Sequence, residues 1–153
     1  MPRVHATDLE RLGFEFFTHV GVPEADAQLV SEHMVDAGLL GHDTHSVLRF
    51  PQYTNMVREG KVKAGAPLEI LQEKDGVLQV SGGWNYGPVT ATRAVELAIE
   101  KAQTRALVAM TIRDCNHVAR LGRFVDIVAR QGNLIAILCA NGHGSDLAVA
   151  PYG

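Results

Sequence analysis

Apolar residues recur at helical spacing through the first forty positions. Leu9, Leu12, Phe16 and Val20 fall on one face of a helix that Gly21 is placed to end. At its start, Thr7 and Glu10 have the spacing of a capping box, with the Thr7 hydroxyl taking an orphan backbone N–H. Pro23 suits the first position of a second helix, with Glu24 and Asp26 in its first turn near the positive dipole end. Leu29, Val30, Met34, Ala37 and Leu40 make its apolar face; Gly38 weakens its end and Gly41 closes it. The short turn between them predicts an antiparallel helical hairpin. Pro51 then starts a short helix carrying Tyr53, Met56 and Val57, which Gly60 stops.

After a polar connection from Lys61 to Pro67 the period changes to two. Residues 68–72 and 77–80 alternate on either side of Asp75-Gly76, a turn whose residues both tolerate positive φ, so a hairpin is predicted. Residues 82–88 read as a loop. A helix follows over 90–105, with Ala94, Leu97, Ala98 and Ala102 on one face, then a strand over 107–112, a helix over 119–131 and a strand over 134–139. No internal repeat or low-complexity segment interrupts this order. It predicts an α/β (mixed α+β) fold, N-terminal helices followed by a mixed sheet with helices.

The 153 residues are enough for one domain with a real core. A hydrophobic fraction of 46% and a charged fraction of 20% place the chain among ordinary globular proteins. A net charge of −3 gives no electrostatic reason to expect nucleic acid or an anionic membrane as partner. The apolar runs are too short to span a bilayer, and no secretory signal precedes the first helix. Two widely spaced cysteines, Cys115 and Cys139, make neither a disulfide framework nor a zinc ribbon, so a cytoplasmic location is expected. The sequence stops just after a predicted strand and loop, without a closing helix, a pattern shared by a natural terminus and by a chain cut within its domain; an incomplete fold is the expectation.

Chemistry concentrates in two stretches. Asn116-His117 stands at the C-terminal end of the predicted strand 107–112, just before a helix, where α/β sheets hold ligands. His117 is either an acid/base group or a core histidine with a satisfied ring; Asn116 can orient a substrate oxygen or satisfy the turn. Cys115 beside them invites a thiol-nucleophile reading, although such pairs normally meet through the fold rather than through sequence. The second stretch runs from Gly41 to Arg49. If residues 45–49 are helical, His45 and Arg49 share a face. A guanidinium beside an imidazole suits a small carboxylate, since Arg grips it bidentately while His handles an adjacent oxygen; pairing of Arg49 with a surface acid is the plain alternative. His42 and His143 read as loop histidines, and His-x-x-His at 42 and 45 lacks the further ligands a metal site needs, so no metal is predicted. Gly142-His143-Gly144 does not complete a Rossmann fingerprint.

Taken together, these motifs resemble the type 2 malate/L-lactate dehydrogenase family, which includes ureidoglycolate and other hydroxycarboxylate dehydrogenases. The matching pieces are Gly41-His42-Asp43-Thr44-His45-Ser46 with Arg49, Pro51 and Tyr53; Gly60-Lys61; Asn116-His117 with Arg120-Leu121-Gly122; and Ala140-Asn141 leading to Val149-Ala150-Pro151-Tyr152-Gly153. They occur in the family's order over nearly the whole chain. The resemblance implies a non-Rossmann, NAD- or NADP-dependent oxidoreductase acting on a small 2-hydroxy or 2-oxo acid, and a homodimer. It implies His117 as catalytic acid/base, with His45 and Arg49 in the catalytic and substrate site and Asn116 beside the substrate. His45, Arg120 and Asn141 are implied near the cofactor. Residues 1–66 then form an N-terminal helical segment carrying the His45/Arg49 loop, and 67–153 the start of the cofactor-binding domain. Val118-Ala119 stands where many members have Phe-Gly, which points to a hydroxycarboxylate branch. Family members are longer, two domains' worth of chain, so this sequence is expected to stop inside the cofactor-binding region. A non-catalytic dimerising or ligand-binding module and a His-ligated metal hydrolase are the rival readings.

Overall fold

A computed structural model describes residues 3–141. The helical hairpin forms as α1 (Ala6–His19) and α2 (Glu24–Leu39). Its capping differs from expectation. Helix α1 begins at Ala6 with His5 as N-cap and no side-chain cap, so Thr7 lies inside the first turn and the capping box is not made. Pro23 is the N-cap of α2 rather than its first residue. The buried stripe of α1 is Gly13 and Phe17, flanked by half-buried Leu9 and Val20, while Leu12 and Phe16 are each 43% exposed. Gly13 sets this register: a Cβ there would collide with the Phe50 ring and the Ser31 hydroxyl, so α1 sits close against its neighbours on that side.

Residues 45–49 do not make an α-helical turn. Two 3-10 turns, Asp43–His45 and Val47–Arg49, are separated by extended backbone at Ser46. They lead into α3 (Phe50–Arg58), with Pro51 in its first turn, where its missing N–H costs nothing. Phe17, Val30, Met34, Phe50, Tyr53, Tyr86 and Val89 close the first core.

Strands β1 (Glu69–Lys74) and β2 (Val77–Ser81) pair antiparallel through the expected turn, where Asp75 and Gly76 both take positive φ. Helix α4 (Gly87–Ala102) starts three residues before its predicted position and carries the chain across to β3 (Ala109–Arg113), which pairs parallel to β2. The sheet order is β1-β2-β3, a mixed sheet. Helix α5 is shorter than expected, Gly122–Ala129, because Ala119 takes positive φ and breaks the helical path before Leu121. A second core joins α4 to α5 through Ala91, Val95, Phe124 and Val128.

The predicted strand over 134–139 is not formed. Leu134, Ala136 and Leu138 pack against the second core while Ile135 and Ile137 are 97% and 89% exposed. The alternation is that of a strand, but no described backbone hydrogen-bonds to it, and a strand exists only by pairing. Both cysteines are free thiols. No helix among the described residues is long and apolar enough to cross a membrane.

Candidate functional site

The segment after β3 is pinned at several points. Asp114 and Ala119 hold positive φ, a conformation that L side chains rarely adopt. The Asp114 carboxylate accepts from the Ser81 hydroxyl at 2.8 Å, and its carbonyl accepts from the Trp84 N–H at 2.7 Å. Asn116 aims its amide nitrogen at three backbone carbonyls, those of Trp84 (2.7 Å), Asn85 (3.1 Å) and Lys61 (3.2 Å). Its Nδ2 is therefore committed to the protein. Gly87, first residue of α4, lies directly beneath: a Cβ there would overlap the carbonyl oxygens of Asn116 and His117.

His117 emerges from this frame beside α3. Tyr53 Oη lies 2.8 Å from its Nδ1 and donates to its carbonyl oxygen at 3.1 Å. Tyr53 is itself 1% exposed, stacked on Tyr86 at 5.4 Å, and its carbonyl accepts from the Tyr86 hydroxyl. On the other side the His45 ring stacks on His117, centroids 5.3 Å apart. His117 is exposed as a residue, yet its ring lies against those of His45 and Tyr53, and its pKa falls below the ordinary imidazole value. Desolvation of the charged form is the main cause, followed by the charge of Arg49 and then His45.

Arg49 completes the group. Its Nε donates to the Thr44 carbonyl at 2.6 Å and its Nη1 to the Gln52 side-chain oxygen at 2.7 Å. No carboxylate pairs with it among the described residues. The His45 ring is fixed by Thr44, whose hydroxyl lies 2.9 Å from Nδ1, and its pKa is lowered by burial, Arg49 and His42. Three elements thus bring together two imidazoles of lowered proton affinity and a guanidinium with no carboxylate partner among the described residues. Such a set can hold a small anion at Arg49 while an imidazole exchanges a proton with a neighbouring oxygen.

The comparison with known proteins is decisive at the level of family. A profile of the family described as malate/L-lactate dehydrogenase matches residues 4–153. The chain belongs to this family. Among the curated members it resembles are an L-sulfolactate dehydrogenase from Methanothermobacter thermautotrophicus and hydroxycarboxylate dehydrogenase B from Escherichia coli. The first is 34% identical over 91% of this chain and 40% of its own length. The second is 28% identical over 76% of this chain and 32% of its own. The solved structure of malate dehydrogenase from Pyrococcus horikoshii superposes with a TM-score of 0.82 at 28% identity, over 86% of this chain and 38% of that one. The chain therefore spans about two fifths of the length of the relatives it matches.

The other sequence-derived candidates make different contacts. Arg120 Nη2 is ion-paired with Asp36 of α2 at 3.0 Å and with Asp126 of α5 at 2.9 Å. Asn141 is exposed at the end of the described residues. Burial pushes the Cys115 thiol up to about 11, so it is no thiolate nucleophile at neutral pH. Among the described residues no group of three His, Cys, Asp or Glu side chains is arranged to hold a metal ion; His143 lies outside them. Sequence reading missed the part played by Tyr53. The signal available was its position one helical turn beyond Arg49, which places both on the same side of the entry to α3.

Proposed function

We propose that this chain carries the hydroxy-acid side of a nicotinamide-dependent dehydrogenase site acting on a small 2-hydroxy or 2-oxo acid. The observation that carries this reading is Arg49, held in place by Thr44 and Gln52 without a carboxylate partner among the described residues, and lowering the proton affinity of both neighbouring histidines. A substrate carboxylate would meet that uncompensated charge, and relieving it raises the proton affinity of His117 as substrate binds. Arg49 grips the carboxylate, His117 takes the proton from the adjacent hydroxyl or returns it to the oxo oxygen, and His45 walls the site. Asn116 frames the loop rather than the substrate, since its amide nitrogen is committed to backbone carbonyls.

NAD or NADP, when bound, supplies the hydride acceptor or donor. Of the side chains assigned to it, His45 offers an uncommitted Nε2 beside His117 and Asn141 is exposed, so both fit a cofactor contact. Arg120 is committed to Asp36 and Asp126, and we assign it to anchoring α5. Residues 1–66 serve as the substrate-side segment and 67–153 as the start of the cofactor side. A homodimer in the cytoplasm accords with this reading. Relatives named for malate, sulfolactate and hydroxycarboxylates make dicarboxylic and sulfonated 2-oxo acids the first substrates to try.

Calorimetric titration tests the assignment. A 2-oxo acid binds the wild-type chain, and Arg49→Ala weakens binding by roughly 10- to 100-fold, the worth of a charge-assisted pair. Equal affinity in the variant would remove Arg49 from the site. A separate titration with NADH distinguishes a dehydrogenase, which binds it, from a module that binds the acid alone.

A further inference from the structure

A phenol hydroxyl, a ring nitrogen and a carbonyl oxygen meet where Tyr53 touches His117. The Tyr53 oxygen is within hydrogen-bond distance of both His117 Nδ1, at 2.8 Å, and the His117 carbonyl oxygen, at 3.1 Å. A neutral imidazole carries one proton, on either Nδ1 or Nε2. With the proton on Nδ1, both contacts are hydrogen bonds: Nδ1–H donates to the Tyr53 oxygen, and the Tyr53 hydroxyl donates to the carbonyl. With the proton on Nε2, the single Tyr53 hydrogen serves only one of the two acceptors. The other close contact is then lone pair against lone pair in a poorly solvated place, which is costly.

We propose that Tyr53 is a positioning residue that fixes His117 as the Nδ1–H tautomer and so leaves Nε2 bare as the proton acceptor for the substrate hydroxyl. This rests on the reading of His117 as acid/base. The surroundings enforce the arrangement. Tyr53 cannot swing away, because its ring is sandwiched in the core against Tyr86 and its own backbone is bonded by Tyr86. Burial raises the Tyr53 phenol far above neutrality, so the hydroxyl keeps the proton it must donate. Gly87 lets the His117 carbonyl come close enough to α4 for the ring and carbonyl to face Tyr53 together. His45 does not compete for Nδ1, since it meets His117 ring to ring and its own Nδ1 lies against Thr44. No other described group hydrogen-bonds the His117 ring, so Nε2 is left for solvent or substrate.

Nitrogen-15 NMR of the imidazole rings reads the tautomer directly, without turnover. In the wild-type chain at neutral pH the two-bond nitrogen–proton pattern of His117 should show Nδ1 protonated and Nε2 bare, in an excess on the order of tenfold. A protonated Nε2 overturns the proposal on that spectrum alone. Tyr53→Phe keeps the aromatic stack and should shift the equilibrium toward the Nε2–H form; an unchanged tautomer overturns the role of Tyr53. Should that variant not fold, the wild-type protein offers a second measurement. The Tyr53 hydroxyl proton, donated to a carbonyl, should exchange slowly with solvent, and rapid exchange contradicts the arrangement. None of these readouts needs nicotinamide or substrate, so they hold equally for a chain that fails to reduce any 2-oxo acid. Where turnover is measured, Tyr53→Phe lowers kcat by about tenfold with KM changed less than about twofold. A raised KM with intact kcat would make Tyr53 a substrate contact instead.

Discussion

The carbonyl of His117 rests on the α-carbon of Gly87, leaving no room for a side chain between them. The loop that carries the candidate base is thus seated on the first turn of α4, and the fit is backbone against backbone. Elsewhere in an exposed helix, Gly→Ala stabilises by up to about 1 kcal/mol. At position 87 the methyl group meets carbonyls that Asn116 and Tyr53 hold in place, and overpacking of this kind costs about 1–3 kcal/mol. Gly87→Ala should therefore lower the urea midpoint and perturb the amide resonances of residues 114–119. A stabilised protein with unmoved resonances would contradict the seating.

Asp26 shows the same dependence on distant structure. Its buried carboxylate accepts from Arg93 at 2.6 Å, from the Asn85 amide at 3.1 Å and from the Gly65 N–H at 3.2 Å, tying α2 to α4 and to the loop that supports Asn116. Asp26→Ala strands those donors and should cost about 2–4 kcal/mol. Asp8→Ala, which breaks only the exposed pair with Arg11, should cost less than about 0.5 kcal/mol. Urea denaturation of both variants checks the contrast.

The two carboxylates also mark what local sequence reveals. The helical hairpin and the Asp75-Gly76 turn are written in short-range patterns, and both formed as predicted. Asp26 looked like one more first-turn acid beside Glu24, because nothing local distinguishes a solvated carboxylate from a buried hub. Tyr53 and His117 are 64 residues apart, and only folding makes them partners. His45 and Arg49 lie on consecutive 3-10 turns rather than on one α-turn, a local geometry that their four-residue spacing does not reveal. The segment 134–138 has the period of a strand, and period alone does not supply a neighbour to pair with.

Acid should destabilise the protein through His33. This residue of α2 is fully buried, its ring packed against Phe124 of α5 at 5.2 Å. Burial first, then Arg123 and Arg120 against the opposing pull of Asp36, lower its pKa to about 3. A histidine whose folded pKa is depressed stabilises the protein above its unfolded value near 6.5, and that stability is lost as pH falls toward the folded value. At one pKa unit per 1.36 kcal/mol, lowering pH from 7 to 5 costs about 2 kcal/mol through this group. His33→Leu removes the titration and should flatten the fall in urea midpoint between those pH values. Parallel falls in the two proteins would locate the acid sensitivity elsewhere.

That His117 moves the proton in a hydride-transfer reaction on a 2-oxo or 2-hydroxy acid can be tested through the consumption of NADH and NADPH against a panel of 2-oxo acids. The assay should use both the 153-residue chain and a form of the length of its relatives, each as wild type and as His117→Ala. Oxidation that depends on a 2-oxo acid is expected in the longer form, with kcat falling by at least about 100-fold in the variant. Undiminished turnover in His117→Ala, or no oxidation with any acid in the longer form, would contradict this role for His117.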